Sequence, residues 1–292
     1  MWNETATAAN DWNGCHLDQG LPCYRSQRLC DLDVSLFVPN NPSKPTRIHL
    51  NASGIPDHNA WGLVENSYIG HQDNANIRIP KSPIMLPIAE AMQQGAGLGA
   101  VGVALNGVAI FNPYNDDCCD VTFKELKTMD YCLAHPAQGR YHYHMFSRSS
   151  QYDKCLMSCA ESEVSDIVGV ANDGFPIYGP MQYYSESEGK VYIDPDQCSN
   201  CTLMQLNSRQ TDACGGIEVA DYALFGVDEY RYIASNTFPY FLQCYRGDMS
   251  MTQKWRMGAQ DWTTYTFNNK CGIDSTGDDG KGSTWFDSPG MY

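Results

Sequence analysis

The chain has 292 residues, 42% of them apolar, and a formal charge of -15, so it can bury a substantial core as one large domain or one domain with an appendage. That acidic balance excludes nucleic acid, or an anionic membrane, bound through a basic face, because either needs clustered Lys and Arg. Only 18% of residues are charged, beside 25 glycines, 15 prolines and 18 tyrosines. This describes a mainly β, hairpin-rich and sandwich-like fold with few short helices.

Thirteen cysteines run the length of the chain. They are Cys15, Cys23, Cys30, Cys118, Cys119, Cys132, Cys155, Cys159, Cys198, Cys201, Cys214, Cys244 and Cys271. With Asn-x-Ser/Thr acceptors at Asn3, Asn51 and Asn200, they point to a disulfide-stabilised glycoprotein of an oxidising, secretory route. The odd count leaves a thiol that is free, metal-bound or joined to another chain, so self-association through an interchain disulfide is an expectation. There is no basic, apolar leader and no apolar run of about 18 residues, so a processed chain without a membrane span is expected.

In chain order, residues 1–30 read as a disulfide-tethered arm without a clear period. A β domain is expected over 31–247. D-V-S-L-F-V-P and T-R-I-H-L-N alternate as strands, and His49 there reads as structural. His58 follows Pro56 and Asp57 in a turn, where a side chain can be aimed at a site. N-A-N-I-R-I-P is a further strand, and I-M-L-P-I-A-E-A-M-Q-Q holds one short helix. G-V-A-L-N-G-V-A-I-F-N-P is glycine-rich but lacks the Lys-Ser/Thr and the helix of a phosphate loop; it reads as a β-hairpin turning at Asn106-Gly107.

The central stretch, Asp130 to His144, reads D-Y-C-L-A-H-P-A-Q-G-R-Y-H-Y-H. On a strand, residues i and i+2 share a face. His142 and His144 then lie on one side, Tyr141 and Tyr143 on the other. His135 is a third imidazole that Pro136 and Gly139 let fold back, and His58 is a candidate fourth ligand. Three imidazoles suit zinc or copper; calcium stays open only at aspartate-rich turns. Asp130, Asp173, Tyr141 and Tyr143 are candidates for orienting the ligands.

Beyond it, G-V-A-N-D-G-F-P-I-Y-G-P repeats the earlier hairpin with its turn at Asp173-Gly174, which suggests an internal duplication. Residues 185–222 read as a loop-rich insertion containing Cys198, Cys201 and Cys214, which are expected in disulfides of open connectivity rather than in a zinc site. D-E-Y-R-Y-I-A-S-N-T-F-P-Y-F-L-Q-C-Y-R-G-D reads as a strand, a turn and a strand ending at Cys244. The tail, 248–292, carries Trp255, Trp262 and Trp285 and is expected to pack on the domain or on a neighbouring subunit.

The Y-H-Y-H tetrapeptide, the A-L-N-G-V hairpin before it, D-G-F-P-I-Y-G-P at 173–180 and F-P-Y-x-x-x-C-Y-x-G at 238–247 resemble the YHYH-domain family of secreted proteins. P-D-H at 56–58 fits as well, so the likeness covers about residues 50–247. The resemblance implies a mostly β domain with metal binding and no known reaction. It also implies a second aromatic-histidine strand later in the chain. Here that strand reads Tyr230-Arg231-Tyr232-Ile233, so one half-site is retained. Two functions are expected from these features. One is a secreted metal-binding glycoprotein, enzymatic or not. The other is an extracellular subunit assembling into a fibre or matrix, its histidines a structural clip or vestigial.

Overall fold

The computed structural model describes residues 32–37, 46–52, 54, 56, 75–97, 99–115, 120–130, 132–137, 140–146, 155–156, 163–225 and 228–251. The arm, the tail beyond 251, His58, Asn3, Cys15, Cys23, Cys30, Cys118, Cys119, Cys159 and Cys271 lie outside the described residues.

The described residues are mainly β. Strands β1 (Leu32–Phe37), β2 (Arg47–Ala52) and β3 (Ala75–Pro80) form an antiparallel three-stranded sheet in that order. A four-residue helix, α1 (Ile88–Ala91), leads to the hairpin of β4 (Ala100–Ala104) and β5 (Ala109–Phe111). A second short helix, α2 (Val121–Lys124), precedes β6 (Ala134–Ala137) and β7 (Arg140–Tyr143). The second hairpin is β8 (Ile167–Ala171) with β9 (Pro176–Tyr178). Strands β10 (Met181–Ser185), β11 (Lys190–Tyr192) and β12 (Thr202–Gln205) make another small sheet, ordered β11-β10-β12. Then come β13 (Gly216–Glu218), a third short helix, α3 (Tyr222–Phe225), and β14 (Tyr230–Ile233). Residues 185–222 thus carry β11 to β13, with a Cys198–Cys201 disulfide between β11 and β12.

The large sheet has eight strands in the order β13-β14-β9-β8-β4-β5-β7-β6. It repeats about its own centre, where β4 and β8 run antiparallel with Val103 opposite Val170. Each half goes outward as hairpin, parallel strand, antiparallel edge strand. Gly102 and Gly169 flank the centre. A Cβ on Gly102 would meet the Val170 carbonyl at 2.6 Å, and one on Gly169 the Val103 carbonyl at 2.6 Å, so neither strand tolerates a side chain there.

The repeat extends to side chains. The Asp130 carboxylate accepts from the Cys132 and Ala134 amides at 2.8 and 3.2 Å and from the Tyr141 hydroxyl. Asp212 accepts from the Cys214 and Gly216 amides at 2.9 and 3.2 Å and from the Tyr230 hydroxyl at 3.0 Å. Disulfides Cys132–Cys155 and Cys214–Cys244 occupy equivalent places. Asn106 donates to the Tyr143 hydroxyl at 2.9 Å, and Asp173 accepts from the Tyr232 hydroxyl at 2.6 Å. The tyrosine face therefore builds the main core, where Tyr141, Tyr143, Tyr230 and Tyr232 are fully buried with Phe175 and Phe241. Each of these four hydroxyls has a partner, as buried polar atoms require.

The opposite face is covered in two places. Ile48, Leu50 and Ile79 of the first small sheet pack on Val103 and Val170 at the centre. Val191 and Leu206 cover Ile217 and Ile233 of the second half. This two-layer packing of small sheets on a large one is the sandwich-like, disulfide-stabilised arrangement that the composition implies.

Candidate metal centre

The site lies on the first half, at the edge of the large sheet. β6 and β7 pair so that His135 stands opposite His142, and the His144 amide continues the ladder by donating to the Leu133 carbonyl at 3.3 Å. Strand alternation puts His142 and His144 on one face while Tyr141 and Tyr143 enter the core behind them. All three imidazoles gather there, with ligand-capable nitrogens within 4.8 Å of one another. His142 and His144 are buried, at 1% and 3% exposure, and His135 keeps a side chain 12% exposed.

The hydrogen bonds set the tautomers. His142 Nδ1 lies 2.9 Å from the Arg140 carbonyl, and His144 Nδ1 lies 3.1 Å from the Asn112 carbonyl. A carbonyl can only accept, so both Nδ1 atoms carry the proton. His135 Nδ1 lies 2.8 Å from the Thr128 hydroxyl, whose own proton goes to the Glu125 carbonyl at 2.7 Å. That hydroxyl must therefore accept from His135. In the neutral rings, each Nε2 is left with a bare lone pair.

Those lone pairs converge. His142 Nε2 and His144 Nε2 stand 3.0 Å apart. Two bonds of about 2.0–2.1 Å to one tetrahedral zinc would separate their nitrogens by about 3.3 Å, close to that spacing. A proton shared between the rings would also relieve the repulsion, but it would charge a buried ring. Burial holds the His142 pKa well below its ordinary value, with His144 and His135 adding to the effect. Burial, with His135 beside it, lowers that of His144 to about 3, and burial alone lowers that of His135. The rings are held neutral, as metal ligands must be.

Two further residues complete the surroundings. Phe111, at the end of β5, stacks on His142 with centroids 3.8 Å apart and planes 24° from parallel, and meets His144 edge-on at 5.8 Å. Glu125 follows α2 and leads into a 3-10 turn, Leu126–Thr128. Its Oε2 lies 3.4 Å from His135 Nε2 and 3.7 Å from His144 Nε2. No motif or spacing in the sequence singles out Glu125, Phe111, Thr128 or the Asn112 carbonyl. An irregular link separates Glu125 from the histidine strand, so no period connects them.

The four residues expected to orient the ligands sit elsewhere. Tyr141 bonds Asp130, and Tyr143 bonds Asn106, both on the core face. Asp173 serves the second half, accepting from Tyr232, from the Gly247 amide at 2.8 Å and from the Phe175 amide at 3.2 Å. Burial raises the Asp130 and Asp173 carboxyls to about 6 each, against the lowering effect of these donors. The groups that do orient the imidazoles are Arg140, Asn112 and Thr128. Among the acceptor asparagines, Asn200 is exposed; Asn51 lies in β2, its side chain outside the described residues.

In the comparisons with known proteins, residues 76–205 match the family model described as YHYH protein. No curated protein and no solved structure matches the chain.

Proposed function

We propose that this chain, a member of the YHYH family through residues 76–205, is a secreted glycoprotein domain that holds a single zinc or copper ion on His135, His142 and His144. The observation that carries this reading is the 3.0 Å approach of two buried Nε2 atoms whose Nδ1 protons are already committed to carbonyls. Bare lone pairs at that distance repel, and a cation between them turns the repulsion into bonding. Three imidazoles are donors for zinc and copper and are unlike the all-oxygen shells of calcium.

The secretory part of the reading rests on chemistry elsewhere in the fold. Three disulfides join the described cysteines, at 132–155, 198–201 and 214–244, and such bonds persist in oxidising compartments. The exposed Asn200, followed by Cys201 and Thr202, is the acceptor whose placement favours an N-linked glycan.

Elemental analysis of the purified chain, supplied with zinc or copper and then dialysed, tests the metal reading. Near-stoichiometric zinc or copper is expected in the wild type and loss of it in the His142→Ala, His144→Ala double variant. A wild type that retains neither metal would overturn the reading.

A further inference from the structure

The role of Glu125 rests on the histidine metal centre and extends it. Its carboxylate oxygen lies 3.4 and 3.7 Å from the Nε2 atoms of His135 and His144. In the neutral rings neither nitrogen has a proton to offer it, because the Nδ1 atoms of these rings bind Thr128 and the Asn112 carbonyl. An anionic oxygen beside two lone pairs is an arrangement that a cation shared by all of them stabilises.

The backbone holds Glu125 there. Asp120 caps α2 by accepting from the Thr122 amide at 2.9 Å, and the Tyr240 hydroxyl ties Asp120 to the core at 3.0 Å. The Glu125 carbonyl accepts from Thr128, the hydroxyl that orients His135. One short segment thus positions both a histidine and a carboxylate.

We propose that Glu125 is the fourth protein ligand, making a three-histidine, one-carboxylate centre, and that it is the ligand a small exogenous anion displaces. Three neutral imidazoles and one carboxylate leave a divalent ion with a charge of +1, which keeps an attraction for one further anion. Glu125 is the most exposed of the four, with a side chain 24% exposed against 12% for His135 and 4% for His144. Entry is therefore from its side, while the ring of Phe111 covers His142.

Copper(II) and azide are the probes. The wild type, Glu125→Ala and Glu125→Gln are each loaded with copper(II), checked for stoichiometry, recorded by electron paramagnetic resonance and visible absorption, and titrated with azide. Both variants are expected to keep copper, to change the copper spectrum, and to bind azide at least tenfold more tightly than the wild type. Retained copper with an unchanged spectrum and unchanged azide affinity would overturn the Glu125 assignment alone. A wild type that binds neither copper nor zinc would overturn both it and the histidine centre, so the two failures are distinguishable.

Discussion

The two halves of the large sheet share a scaffold and differ at the surface where one of them gathers histidines. His135 pairs with His142 across β6 and β7, and Ile217 pairs with Arg231 across β13 and β14. The amide of His144 donates to the Leu133 carbonyl as that of Ile233 donates to Gly215. Phe111 stacks on His142 at 3.8 Å, and Tyr178 lies under the Arg231 guanidinium at 3.9 Å. The tyrosines behind are the same in both halves. The core is thus the common element, and the outward side chains decide what each half holds.

The second half shows what happens when the imidazoles are replaced. Arg231 brings its own positive charge, bonded to Asp228 at 3.0 Å and Gln182 at 3.1 Å, and β10 to β12 seal the surface with Val191 and Leu206 over the two isoleucines. A fixed guanidinium occupies the strand position where, in the first half, His142 offers a lone pair. The comparison puts three imidazoles that could hold a metal ion on one half and a structural ion pair on the other.

The sharpest way to break the comparison is to exchange the outward residues. His142→Ala should lower zinc or copper affinity by more than the roughly 10–100-fold that loss of an outer hydrogen-bond partner costs a metal site. The second half should stay folded, as read by competition with a chromophoric chelator and by circular dichroism. Arg231→Ala leaves the largely covered Asp228, 11% exposed, without its cation and should cost up to about 3 kcal/mol in urea unfolding, with metal content unchanged. If Arg231→Ala also empties the histidine site, the halves are not independent.

The pH dependence sharpens it further. Asp173 has a carboxyl raised by burial from 3.8 to about 6, so the folded chain holds that proton more tightly than the unfolded chain. Its contribution is full below the unfolded value and is lost as pH rises through the folded one. This group's contribution should therefore fall by about 3 kcal/mol between about pH 4 and 6, against the opposite rise from the three histidines, whose lowered pKa values favour the folded chain as pH increases. Asp130 follows the same direction to about 6, and Asp173→Asn should remove the share of Asp173 alone, so that the denaturant midpoint of the variant gains on that of the wild type as pH rises across that window. An unchanged slope would show that Asp173 is not the group.

The smallest expected effect concerns one backbone position. Leu133 and Gly215 are equivalent, with φ of 55° and 94°. Gly215→Ala should cost about 1–2 kcal/mol, because its Cβ would meet the Phe241 carbonyl at 2.9 Å as well as a left-handed backbone. Leu133→Gly relieves the backbone but gives up packing against the core, so thermal denaturation should show a net change below about 1 kcal/mol.

Much of this was legible in the sequence because its signals are local. The Asn106-Gly107 and Asp173-Gly174 turns mark two hairpins of shared grammar, and the duplication read from them extends across all eight strands of the large sheet. The histidine cluster was legible because strand alternation puts His142 and His144 on one face, with His135 seven residues before His142. What escaped is non-local. The parallel pairings of β5 with β7 and β9 with β14 join segments tens of residues apart, and no pattern encodes that choice. The strand read to end at Cys244 shrinks to a single bridge with Gly95, since Pro239 lacks an amide proton and Tyr240 has a φ of 61°. Glu125 could not be found for the same reason as the parallel pairs: its link to His135 is irregular chain.

The most direct test is X-ray absorption at the metal edge of the zinc-loaded wild-type chain. The expected spectrum has one zinc per chain in a four-coordinate shell at about 2.0–2.1 Å, with the outer-shell scattering of three imidazoles. A shell of oxygen atoms without imidazole scattering, or a chain from which both zinc and copper wash off on gel filtration, would contradict it.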